Sequence, residues 1–279
     1  MKTLEILSLG AGVQSTTVLM MVIHGELPPL DAIIFADTGW EPPAVYKHLD
    51  WLEDQARAAG IPLHRVGTRN IREDALVAQV RGKAAGGERW ASMPVFTKAE
   101  GQITEGRIRR QCTYEYKIIP IERKSRELMG LKYKQHWKEE KHGRVNSWIG
   151  ISLDEVHRMK PSQTKWATRV FPLVDIVPMK RGECLHWMHE KGYPEPPRSA
   201  CIGCPNHDNL EWRLIRLDPE LWEDACSFDE AIRKSGGMRG DVFLHRSCVP
   251  LREIDFDSDQ DRGQDVFAWA NECEGLCGV

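Results

Sequence analysis

Long apolar runs are missing from this sequence. The longest, TTVLMMVI and AIIFA, fall far short of the ~18–20 residues that span a bilayer, and the chain opens on a strand-like segment without a basic leader. A cytoplasmic protein with no membrane partner is therefore expected. Positive charge is not in excess either: 38 Lys/Arg against 41 Asp/Glu leave a formal net charge of -3, which argues against a chain that coats nucleic acid with its whole surface. Internal repeats and low-complexity tracts are absent. Two common phosphate loops also fail to appear at the first glycine cluster, GAGVQS. No lysine follows its last glycine, as the Walker loop requires, and Gly10-x-Gly12-x-x-Ser15 lacks the third glycine of the dinucleotide fingerprint.

What is present suits a globular protein. The 279 residues, 41% hydrophobic and 28% charged, allow one substantial core and a small second lobe. Eight cysteines in such a chain are read as metal ligands, redox groups or buried thiols before structural disulfides. Charge is uneven. Residues 101–145 hold twelve Lys/Arg against six Glu, a local excess of six that suits a phosphate-bearing partner, RNA or DNA included, although solvated helix faces look the same.

Periodicity predicts strands over 4–9, 31–36 and PLHRVG, with helices over 14–24 and 43–59 between them. That alternation implies parallel pairing with right-handed crossovers. The fold class expected is therefore α/β, a doubly wound, mainly parallel sheet, with ligands at the carboxyl ends of the strands. Both GAGVQS and DTGWE fall at that edge. Residues 82–106 read as a long glycine-rich loop over the site, 115–129 as a basic helix, VNSWIGIS as a strand, MKRGECLHWMHEKG as a helix, and 207–234 as mostly helical. The domain reading is a nucleotide-binding α/β unit over 1–205 and a helical extension with a cysteine-bearing tail over 206–279. Glycines between a strand and a helix let the backbone approach a ligand, and the helix start offers unpaired N–H groups to an anion. The same turns also occur as plain connections.

Four ordered segments carry a family resemblance. GAGVQS resembles the SGGxDS loop of the PP-loop superfamily, and FADTGWEPPAVYKHLDWL is similar to a D-T-G followed by a helix. RRQCTYEYKIIPI resembles R-x-C-x(4)-K-x-x-P. WIGISLDEVHR, FPLVDI and GYPEPPRSACIGCP resemble G-I-x-x-D-E-x-x-R, a P-L segment and GY followed by C-x-x-C. Over residues 4–205 the chain is thus identified as similar to the phosphoadenosine phosphosulfate (PAPS) reductase-like branch, of the adenine nucleotide alpha-hydrolase-like fold.

The resemblance implies an adenine nucleotide, ATP or a phosphosulfate (PAPS or adenosine phosphosulfate), with its phosphates around Ser8, Gly10, Gly12, Gln14, Ser15 and Thr16. Asp37, Thr38 and Gly39 would lie beside them, the carboxylate reaching Mg²⁺ or a nucleotide donor, and Gly150 would leave room for close approach, followed by Asp154 and Arg158. Arg109, Arg110 and Lys117 suit a second anion, and Arg110 and Lys117 are the expected catalytic cations. Two positions depart from the pattern: Gln14 stands where the loop aspartate is usual, and Gly10 where its leading serine is.

The resemblance also pairs Cys112 with Cys201-x-x-Cys204 as ligands of a [4Fe–4S] cluster. The fourth ligand would be Cys248 or Cys273, or one iron stays open to carry sulfide. Zinc in the same ligands is the alternative. Cys184 and Cys226 lie in helical runs and read as buried thiols. In the tail NECEGLCGV, Cys273 partly matches the nucleophile of true PAPS reductases, and Cys277 could resolve a disulfide.

Three activities follow as expectations. One is an ATP-dependent adenylation that releases pyrophosphate and lets sulfur replace AMP, on a nucleobase for example. Another is reduction of a phosphosulfate by Cys273. The last is a nucleotide-binding protein with reduced turnover and a structural metal. A sulfur donor or thiol reductant is the implied partner. Oligomeric state stays open, homo-oligomers included.

Overall fold

The computed structural model describes residues 2–67, 69–81, 93–99, 106–234 and 240–256. In chain order it contains β1 (Thr3–Leu9), α1 (Val13–Ile23), β2 (Ala32–Ala36), α2 (Pro43–Ala58), β3 (Leu63–Val66), α3 (Ile71–Arg81), β4 (Phe96–Lys98) and β5 (Gly106–Arg107). A π-helical turn (Thr113–Ile118) then runs into α4 (Ile119–Leu128), followed by α5 (Glu139–His142), β6 (Arg144–Ile149), a 3-10 turn (Leu153–Arg158) and β7 (Ala167–Val170). Next come α6 (Pro172–Asp175), α7 (Arg181–Glu190), α8 (Asn209–Arg216), α9 (Pro219–Ile232), β8 (Asp241–Phe243) and a 3-10 turn (Leu251–Glu253).

Strand β1 shows why the sheet is layered. Its alternate residues serve opposite faces: Leu7 and Leu9 pack with α1, α2 and α7, whereas Leu4 and Ile6 pack with Ile118 and Ile121 of the α4 side. A strand that is apolar on both faces has to lie between two helical layers, as parallel strands do. The five strands are ordered β3-β2-β1-β6-β7, and every pairing is parallel. Full burial of side chains such as Phe35, Leu49 and Leu7 contributes about 1.5–3 kcal/mol each to holding the layers together.

The strand order also locates the functional edge. The chain steps outward from β1 to β2 and β3, then returns to the other side of β1 as β6 and β7. Crossovers therefore diverge between β1 and β6, which opens a crevice at their carboxyl ends.

Residues 207–234 are helical as two segments that share an apolar cluster with Trp40, Ile71, Ala75 and Ile202. Cys184 and Cys226 are fully buried in helices, and burial pushes the Cys226 thiol up to about 11. The stretch read as one long loop holds β4 and β5, which form a small antiparallel sheet with β8. Strands of two or three residues give almost no periodicity, so their pairing with a distant partner was invisible in the sequence.

The basic helix read over 115–129 is also more structured than its periodicity indicates. Pro120 has no N–H to give to the Tyr116 carbonyl, and its ring crowds that oxygen. The backbone widens ahead of it, so that Ile119 N–H bonds Tyr114 O, five residues back.

Candidate functional site

Three loops meet at the carboxyl edge: 10–12 after β1, 37–41 after β2 and 150–158 after β6. The first is wholly buried, and Ala11 holds a left-handed φ of 57° that lets the chain turn sharply into α1. Gly12 stands at the N-cap of α1 and, having no side chain, gives the first-turn N–H groups no acceptor of its own at the helix's positive end. Ser15 Oγ accepts from Gly10 N–H (3.2 Å), stiffening the loop from within. Ser8, 2% exposed at the end of β1, has a buried hydroxyl with no hydrogen-bond partner among the described residues. An orphaned buried hydroxyl costs free energy of about 1–3 kcal/mol, which a bound acceptor or donor would recover.

Thr16 faces α2, where its Oγ1 lies 3.0 Å from His48 Nε2. His48 stacks on Trp51, and burial lowers its pKa to about 4. The unfolded chain protonates this histidine near 6.5, so stability present at neutral pH is lost as pH falls through 6.5 toward 4. A loss of about 2 kcal/mol is expected over that window. Melting temperatures measured from pH 7 to 4 should show a slope that His48→Gln flattens; an unchanged slope would remove His48 as its source.

Gln14 bridges the switch point. Its Nε2 donates to Glu155 Oε2 (2.9 Å) and Ser152 Oγ (3.3 Å), while its Oε1 accepts from Arg181 Nη1 (3.1 Å). Arg158 pairs with the other oxygen of Glu155 at 2.5 Å, and Asp154 accepts the Arg181 backbone N–H at 3.2 Å. Both ends of the Gln14 amide are thus engaged by charged groups, Glu155 from the turn after β6 and Arg181 from the start of α7. Gly150 is buried beside this network. Sequence reasoning passed over Glu155 and Arg181; the acidic pair in SLDEVHR was the available signal for the first.

Asp37 follows β2 and is held by two donors, Gly39 N–H (2.7 Å) and Tyr46 O–H (2.9 Å), which aims its carboxylate along the edge. Gly39 needs its φ of 76°, and a Cβ there would meet Asn70 at 3.0 Å. Thr38 Oγ1 stands 3.3 Å from Glu41 Oε1 and 3.2 Å from Cys201 Sγ. Lys117 Nζ reaches the same Glu41 oxygen at 3.4 Å, both side chains being almost fully enclosed. Lys117, expected as an anion-binding cation, is therefore a buried ion-pair partner supplied by the π-helical turn. Arg109 and Arg110 lie exposed a few residues ahead of it.

The C-x-x-C turn is pinned to the β2 loop. Ile202 N–H donates to Trp40 O (2.9 Å), and a Cβ on Gly203 would sit 2.1 Å from the Trp40 ring, so only glycine fits. Burial raises the Cys201 thiol well above its ordinary pKa; the Glu41 carboxylate raises it further, and Lys117 works against both. Cys112 and Cys201 pack at the rim of one apolar cluster, and Cys248 is buried with a left-handed φ of 51°. Among the described residues no group of three or more His, Cys, Asp or Glu side chains is arranged to hold a metal ion. Cys273 and Cys277 lie outside the described residues.

No helix of the described residues is long and apolar enough to cross a membrane. No protein-family profile matches the chain, and no curated protein matches it. Among solved structures it is similar to phosphoadenylyl-sulfate (PAPS) reductase from Candida auris in a phosphate complex. That likeness has 16% identity over 70% of this chain and 74% of the other, with a TM-score of 0.39. The α/β, parallel, doubly wound architecture with a helical C-terminal portion rests on this chain's own strand order and packing.

Proposed function

We propose that this chain is a PP-loop-type enzyme that binds an adenine nucleotide, ATP in the first instance, at the β1/β6 switch point and uses it to adenylate an acceptor for sulfur transfer. One observation carries the reading: a buried glycine turn with Ala11 left-handed and Gly12, which has no side chain to cap α1, beside the Ser8 hydroxyl that has no partner among the described residues. Those features favour an anion of a bound nucleotide over a plain connection.

In this reading the turn 10–12 and the start of α1 hold the phosphates through backbone N–H groups, with the Ser8 hydroxyl beside them. Asp37, fixed by Tyr46 and Gly39, serves Mg²⁺ or a nucleotide donor. Adenylation turns an acceptor oxygen into a good leaving group, with pyrophosphate departing, and donors preorganised at the loop stabilise the charge that develops. Cys112, Cys201, Cys204 and Cys248 are the residues that would hold a [4Fe–4S] cluster, and no step of this scheme passes through it.

Calorimetric titration with ATP and with PAPS tests the reading. ATP should bind, and pyrophosphate should appear when an acceptor is supplied. Gly12→Glu, which puts a carboxylate where phosphate would sit, should abolish binding, with circular dichroism measured alongside to separate lost binding from lost fold. If neither nucleotide binds the wild-type protein, the reading fails. Sulfite release from PAPS, lost in Cys273→Ser, would replace it with the reductase.

A further inference from the structure

Two joined cavities lie on the α4 side of the sheet, outside the site just described. One, of about 450 Å³, opens at the carboxyl end of β3 against Gly67 and Arg69. The other, of about 660 Å³, continues along α4 to the turn at 131–134. Ile119, Arg123 and Glu127 line both, so together they form one groove. Its upper end touches the candidate site, because Asp37 N–H bonds Val66 O (2.7 Å) next to Gly67. The lower end lies near the amino ends of the strands, where Met129 and Gly130 meet Lys2 and Leu4.

The basic excess of residues 101–145 separates once partners are assigned. Lys117 is buried on Glu41, Lys124 pairs with Glu127, Arg144 with Glu139, and Arg107 donates to Asn206. Arg123, Lys132 and Lys134 are exposed along the groove and make no ion pair among the described residues. Between the two lysines Tyr133 stands 78% exposed, with Lys134 Nζ 5.3 Å from its ring centre. Lys134 has a φ of 60°, a left-handed conformation that costs a lysine about 1 kcal/mol. An exposed aromatic ring flanked by unpaired cations is the equipment used to stack a base while holding its phosphates. A single such ring can stack only on a base that is not already stacked in a duplex.

We propose that the groove binds a single-stranded nucleic acid, with phosphates on Arg123, Lys132 and Lys134, a base on Tyr133, and one end of the strand at the carboxyl edge of the sheet. What the strand meets there rests on the nucleotide reading above; the binding itself does not. If both hold, the adenylated acceptor is a group on a nucleobase.

Fluorescence anisotropy with labelled strands of about twelve nucleotides, as RNA and as DNA of one sequence, tests this. Unlabelled duplex and heparin serve as competitors. Wild-type protein should bind at least one strand, and the neutral triple variant Arg123→Gln, Lys132→Gln, Lys134→Asn should lose about tenfold or more in affinity. The slope of log affinity against log salt should fall by about two. Tyr133→Ala should weaken the strands severalfold and leave heparin unchanged. Preference between RNA and DNA then names the source. Absence of strand binding, binding indifferent to these variants, or a preference for duplex would each overturn the proposal. ATP titration of the same variants separates the two readings, since groove variants should leave nucleotide binding intact.

Discussion

Lys117→Met is expected to destabilise the protein by about 3–5 kcal/mol, the largest effect of any single substitution considered for this site. Lys117 and Glu41 have side-chain exposures of 6% and 0%, and they meet at 3.4 Å. Removing the ammonium leaves a carboxylate with no counter-charge at that distance, inside a region that water does not reach. Glu41 Oε2 already lacks a hydrogen-bond partner among the described residues, so the stranded charge has little else to lean on there beyond Thr38. Thermal melting should register the loss as a drop on the order of 10 °C.

The double variant Lys117→Met, Glu41→Gln separates charge from packing. Gln keeps an oxygen for the Thr38 hydroxyl while removing the negative charge, so more than half of the lost stability should return. If the double variant is no better than Lys117→Met alone, the cost lies in packing of the π-helical turn and the ion pair is incidental. A Lys117→Met protein within about 0.5 kcal/mol of wild type would mean that the pair is not enclosed as described.

The elements that the sequence revealed are those whose side chains repeat with a period. Strand β1 carries Leu and Ile at most positions and runs into Gly10, β2 is the apolar run AIIFA between two aspartates, and α2 ends where Gly60 takes a left-handed φ. Parallel pairing followed from the alternation of strands and helices, whereas the divergence of crossovers beside β1 is visible only in the strand order. What stayed hidden depends on contacts between distant residues. β4, β5 and β8 are too short for a pattern, and the π-helical turn is set by one proline acting on the turn before it.

The site divides in the same way. Ser15, Asp37 and Gly39 announce themselves because their backbone conformations or local hydrogen bonds demand those residue types. Glu41, Glu155 and Arg181 do not, since each acquires meaning only from a partner far away in sequence. Lys117 was legible as a cation near the site, but its burial against Glu41 was not.

Gln14 is where these two kinds of information meet, and its substitution should be the second large effect. Gln14→Leu keeps the volume and removes both polar ends of the amide. Glu155 then loses a donor at 2.9 Å and Arg181 an acceptor at 3.1 Å, both in a buried setting. Hydrogen bonds to charged groups contribute about 1.5–3 kcal/mol each, and partial rearrangement among Arg158, Arg181 and Glu155 offsets some of the loss. A net cost of about 2–4 kcal/mol is expected.

Gln14→Asp would restore the residue usual in the resembled loop, yet it should not behave as a repair. The side chain is one methylene shorter, offers no donor to Glu155, and sets a second carboxylate beside it. Gln14→Glu sharpens the point by keeping the length: two carboxyls would then face each other near 2.9 Å and hold a shared proton, raising their pKa in the folded state. Stability of that variant should be highest at acidic pH and fall as pH rises through the raised value, by the ordinary linkage of proton binding to folding. Adding Glu155→Gln to Gln14→Glu reverses the bridge, amide for carboxylate, and leaves Arg181 facing an acceptor. Urea unfolding of the wild type, the two single variants and this double variant completes a cycle. Recovery of at least half the single-variant losses in the double variant is the expected outcome; simple additivity would show that Gln14 and Glu155 act independently, and that Gln14 does not strap the β1 loop to the β6 loop.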